Sequence, residues 1–121
     1  MKIIEKYKEH KTKFDIPVFL YTVNVILSND VVEARERLNT ILGRWVNGHF
    51  EAMHSNTGGG TSYIILPFDA DGRLIAHEAF HCVLAILRFL HSDGEEELDA
   101  YLLSYIVEKI ESFQKKKGFR K

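Results

Sequence analysis

Two histidines four residues apart with a glutamate between them, His77-Glu78-Ala79-Phe80-His81, are the residues of this chain best suited to chemistry. On an α-helix, positions i and i+4 lie one turn apart on the same face, so His77 and His81 could share one metal ion. Two neutral imidazoles and a carboxylate from elsewhere make a three-ligand zinc site with one position open. Zinc lowers the pKa of bound water to about 7 and polarises a carbonyl. Glu78, turned about 100° from His77, is spaced to take that water's proton. This is the chemistry of a metal-dependent hydrolase.

The helix that must carry these residues is apolar almost all round. From Leu74 to Leu90 it contains Ile75, Ala76, Ala79, Phe80, Val83, Leu84, Ile86, Leu87 and Phe89. Such a helix belongs in a core, where two His and a Glu are costly unless something satisfies them. A metal does so for the two His. The competing reading is an amphipathic helix whose polar stripe is His77, Glu78, His81 and Arg88. Cys82 lies about 100° round from His81, beside Phe80 and Val83, and reads as a small buried hydrophobe rather than a nucleophile.

Composition bounds the rest. The chain has 121 residues, 45% of them apolar and 27% charged, with net charge -1. That describes one ordinary globular domain, residues 1–121. Its charge gives no reason to expect nucleic acid as a partner. The basic end from Lys115 to Lys121 reads as a solvated helix end. No run reaches membrane-spanning length, and the start lacks a signal peptide's apolar core. A single cysteine excludes an internal disulfide. The expected setting is therefore cytoplasmic, with no membrane partner. Nothing in the sequence specifies an oligomeric state.

In chain order, residues 1–13 carry no assignable pattern. After Pro17, the alternation of Phe19, Tyr21, Val23, Val25 and Leu27 predicts a strand. Ser28-Asn29-Asp30 is a turn, and Asp30 with Glu33 fits a helix start. Val31, Ala34, Leu38, Ile41, Leu42 and Trp45 then recur at helical spacing up to Asn47-Gly48. His49–His54 and Thr61–Phe68 flank a glycine-rich stretch and predict a hairpin. Gly58-Gly59-Gly60 lacks the Gly-Lys-Ser/Thr of a phosphate loop and reads as a flexible turn. Pro67 predicts that Thr61–Phe68 is an edge strand, open to an extended peptide by β-augmentation. His54, beside the turn, could approach the metal helix, although a lone His is more often a surface residue.

Asp69-Ala70-Asp71-Gly72 leads into the metal helix, and Ser92-Asp93-Gly94 ends it. A second amphipathic helix, from about Glu95 to Lys115, turns Leu98, Leu102, Tyr105, Ile106 and Ile110 inward. So short a connection makes the two helices antiparallel neighbours. The expected fold class is α+β, a small antiparallel sheet packed on helices, with the metal helix followed by an antiparallel Glu-bearing helix. The third ligand falls among Glu95, Glu96 and Glu97. Any of them also serves as an acidic residue in a helix's first turn. Glu97 has a modest lead, because Tyr101 and Leu102 follow it at i+4 and i+5.

His77-Glu78-Ala79-Phe80-His81, followed sixteen residues later by Glu97-Leu98-Asp99-Ala100, resembles the gluzincin branch of the zincin metallopeptidases. It is more closely similar to small minigluzincin-type proteins, including those of tailed bacteriophages and prophages, through Ala100-Tyr101-Leu102. The likeness covers mainly residues 61–110. It implies a minimal zincin-like fold, Zn²⁺ held by His77, His81 and Glu97, and Glu78 as the catalytic base. A peptide or protein would be the substrate, in a bacterial or phage-infected cell. The family often has Asp or Asn four residues after the ligand Glu, where this chain has Tyr101. A phenol donates or accepts a hydrogen bond, so it could support the metal shell in another form. Tyr101 or Tyr105 would also be a further catalytic group at the oxyanion, which the spacing does not compel. The alternative function is a non-catalytic phage or prophage accessory protein in which zinc only ties two helices together. A metal site with that purpose has no use for Glu78.

Overall fold

The computed structural model describes residues 6–17, 19–42, 53–56, 59–90 and 96–120. Its elements in chain order are β1 (Glu9–Ile16), β2 (Tyr21–Ser28), α1 (Val31–Leu42), β3 (Met53–Asn56), β4 (Thr61–Pro67), α2 (Gly72–Phe89) and α3 (Glu96–Lys116). The expected continuation of α1 through Trp45 to Asn47-Gly48 lies outside the described residues. So do the strand start at His49–Ala52 and the stop at Ser92-Asp93-Gly94.

The chain is α+β, and its four strands form one sheet in the order β1-β2-β4-β3. The sheet is mixed rather than antiparallel, which corrects the expectation. β1 pairs with β2 and β3 with β4 in antiparallel fashion, but β2 and β4 run parallel, with Val23 opposite Ser62 and Leu27 opposite Leu66. Parallel neighbours need a long crossover, and α1 lies within the one that links β2 to β4. A second correction follows from the order. β4 is an interior strand, and among the described residues β3 is the edge on that side. Pro67 is tolerated because it is the last residue of β4. β1 is an element the periodicity did not reveal. It makes a hairpin with β2 through the turn at Pro17, so Pro17 ends one strand rather than starting another.

Alternation along β2 and β4 divides the core between the two faces. Tyr21, Val23, Val25, Leu27, Ile64 and Leu66 meet α2 and α3 on one face, where Ile75, Ala79, Ile86, Leu102, Ile106 and Ile110 are buried against them. Ile26 and Ile65 project from the other face and pack under Val31, Ala34 and Leu38 of α1. The first helix thus serves as scaffold for that face, and Asp30 caps it by accepting from the Glu33 N–H at 3.1 Å.

Three anchors fix α2. Asp71 caps its start, its side chain accepting the Leu74 N–H at 2.9 Å. The buried Gln114 near the far end of α3 donates to the carbonyls of Ala70 (2.9 Å) and Phe68 (3.3 Å), just before α2 begins. With the end of α3 beside the start of α2, the two helices run antiparallel. α3 then closes in a left-handed turn at Gly118, where the Phe119 N–H reaches Gln114 O and the Phe119 ring stacks on Phe68 at 4.4 Å. The basic end is therefore docked by an aromatic pair. The third anchor is Gly60, at φ +90°. A Cβ there would lie 2.9 Å from the Leu20 carbonyl and 3.2 Å from the Phe89 ring of α2. This glycine holds a close approach, so the loop is tight at that point.

Candidate metal centre

α2 is amphipathic rather than apolar all round. Ile75, Ala79, Cys82, Val83 and Ile86 face the core, while Phe80 and Leu84 are 50% and 41% exposed. The exposed stripe also carries His77 and His81, because residues 77, 80, 81 and 84 share one face at helical spacing. Their Nε2 atoms stand 3.3 Å apart, with the ring centroids at 4.8 Å and the planes nearly perpendicular. A tetrahedral ion bonded at 2.0–2.1 Å to two imidazoles separates their nitrogens by roughly 3.3–3.4 Å. The histidine pair fits zinc in donor type and in spacing.

Glu78 occupies the shoulder between this face and the core. Its side chain is 7% exposed against 58% for His77, and Oε2 is 4.0 Å from His77 Nε2. The fold thus brings His77, Glu78 and His81 together as the spacing predicts. Glu97 belongs to the first turn of α3, but its side chain and that of Glu96 lie outside the described residues, as does Glu95. Among the described residues no three His, Cys, Asp or Glu side chains form a group. Asp99, in the same turn, has a buried Oδ1 with no hydrogen-bond partner among the described residues.

The two tyrosines singled out as oxyanion donors stand toward β1. Tyr105 packs edge-on against Phe14 of β1 and donates its phenol to the Asp15 carbonyl at 3.3 Å. Tyr101, 47% exposed, stacks on Tyr105 with centroids 6.0 Å apart. Cys82 is fully buried, and burial pushes its thiol up to about 12, against a smaller downward pull from Ser62. A thiol in that state is inert as a nucleophile.

His54 is the residue that sequence reasoning undervalued. It sits on β3, opposite Ile64, so its side chain leaves the sheet on the α2 face. It is partly buried, and its Nε2 is 2.8 Å from Ser62 Oγ, which in turn is 2.6 Å from the Tyr21 hydroxyl. Burial, with a smaller contribution from His81, pushes His54 down to about 4. The signal available beforehand was the alternation that puts His54 and Ser62 on the face of Ile64. Only strand register could convert that into contact. No family model, curated protein or solved structure matches this chain.

Proposed function

We propose that this chain is a small zinc-dependent peptidase of the gluzincin type. The observation that carries the reading is the convergence of two imidazole nitrogens at 3.3 Å on an exposed helix face, with the sheltered carboxylate of Glu78 beside them. In this reading His77, His81 and Glu97 hold the ion. Zinc bound there supplies Lewis acidity, polarising a peptide carbonyl and acidifying water. Glu78 accepts a proton from the attacking water and delivers it to the amine nitrogen as the C–N bond breaks. Because the Glu78 side chain is nearly buried, its rotamer is held by packing, which favours one fixed direction of proton transfer. The peptide lies along β3, the edge strand that packs on α2, with its backbone paired to the strand's outer side.

Zinc analysis beside hydrolysis of a peptide library tests the proposal on the full chain. Wild type should bind about one zinc, and His77→Ala, His81→Ala and Glu97→Gln should each lose it. Glu78→Gln should fold, keep the zinc and cleave about 10²–10⁴ more slowly. Full zinc occupancy in both His variants would end the metal assignment. A zinc-loaded wild type inert towards unstructured polypeptides and a broad library would leave the accessory-protein reading, in which the ion only joins two helices.

A further inference from the structure

The hydroxyl of Ser62 is a junction whose hydrogen-bond inventory can be closed. A serine oxygen offers one proton and two lone pairs. Two groups meet it: the Tyr21 hydroxyl at 2.6 Å and His54 Nε2 at 2.8 Å. Among the described residues the Tyr21 hydroxyl has no other hydrogen-bond partner, so its proton is satisfied by donating to Ser62, and burial, which raises it above its ordinary value, keeps it protonated. With Tyr21 donating, the arrangement that leaves no proton unused sends the single proton of Ser62 to His54 Nε2. A histidine that accepts at Nε2 carries its own proton at Nδ1. Among the described residues Nδ1 has no hydrogen-bond partner, and His54 is only partly buried.

We infer that His54 presents a fixed Nδ1–H donor to the carbonyl oxygen of a substrate bound at the His77/His81 face, with Ser62 setting its tautomer. The inference rests on the peptidase reading and adds a residue to it. Two observations select His54 over the tyrosines. It lies on β3, the strand beside α2, and interacts electrostatically with His81. Tyr105 is committed to the Asp15 carbonyl of β1, at the opposite edge of the sheet, and Tyr101 stacks on it. An N–H held by a buried serine needs no reorientation when charge develops on the oxygen, which is what makes such donors effective.

The test joins a spectroscopic and a kinetic readout on the zinc-loaded full chain. Long-range proton–nitrogen spectra of ¹⁵N-histidine protein at pH 7 should show one imidazole, absent in His54→Gln, as the Nδ1–H tautomer. Ser62→Ala should return that ring to the tautomer mixture of free imidazole. His54→Gln, which lacks a donor at the Nδ1 position, should lower kcat about 10²-fold with little change in KM, and His54→Asn should restore part of it. An Nε2–H tautomer for His54 overturns the inference. So does a folded His54→Gln that cleaves at the wild-type rate. A zinc-loaded wild type that cleaves nothing removes the peptidase reading and the substrate role of His54 together. Wild-type cleavage matched by His54→Gln removes the inference alone.

Discussion

At one edge of the sheet β1 runs for eight residues with Lys11, Lys13 and Asp15 exposed, while at the other β3 runs for four and lies against α2. An unpaired strand is a template for another chain. β1 answers that hazard with charge, and its neighbour on α3, Tyr105, is tied down by the Asp15 carbonyl. β3 is short and brings a partly buried histidine next to the helix of the candidate metal site. The contrast teaches that the two edges of so small a sheet are treated differently: one is guarded by charge, the other packs against the helix of the candidate metal site.

The largest effect should come from the strand both edges depend on. Ile64 is fully buried at the centre of the core. Its side chain points to the α2 face from β4, between β2 and β3. Ile64→Ala should cost about 2–5 kcal/mol, at the upper end if the cavity cannot collapse. Chemical denaturation would measure it. A loss under 1 kcal/mol would mean that the β3 side is not packed as a unit with the rest.

Acid should act on the β3 edge through His54. Its folded value lies near 4 against an ordinary 6.5. Between those values the unfolded chain takes up a proton that the folded protein refuses, so stability is full above about pH 6.5 and is lost as pH falls towards 4. With its partial exposure discounted, the loss is about 2 kcal/mol. Thermal unfolding across that range should show the decline in wild type and a flatter profile in His54→Gln. An equal slope in both proteins would assign the acid sensitivity elsewhere.

How much of this was legible in the sequence follows from the range of each interaction. The i, i+4 spacing of His77 and His81 is local, so it survived into the structure, as did the helix start at Asp30 and the inward stripe of Leu102, Ile106 and Ile110. The order of strands was not local. Pro67 suggested an edge, yet β4 lies inside because α1 carries the chain across and lets β2 pair with it in parallel. β1 does alternate, with Glu9, Lys11, Lys13 and Asp15 on one side, but its other side begins with His10 and Thr12. Only Phe14 and Ile16 were left to signal a strand. Ser62 carried no signal, because its two partners come from β2 and β3.

The smallest effect, and the sharpest test of the contrast, concerns the charges on β1. Lys11 is 3.5 Å from Glu9, with its side chain 54% exposed. An exposed pair of this kind contributes little to stability. Lys11→Val with Lys13→Val should therefore change the unfolding free energy by no more than about 0.5 kcal/mol. The expected consequence lies in association. With those two charges gone, the outer backbone of β1 faces solvent behind β-branched side chains, the description of a strand ready to pair with a second copy. Sedimentation velocity over a concentration series should show the double variant forming dimers or larger species where wild type does not. On the proposed function, zinc content and cleavage depend on the other side of the sheet and should stay at wild-type levels in the monomer fraction. A double variant that is strongly destabilised would show these lysines to be structural. One that stays monomeric at every concentration would show that β1 is closed by something other than its charge.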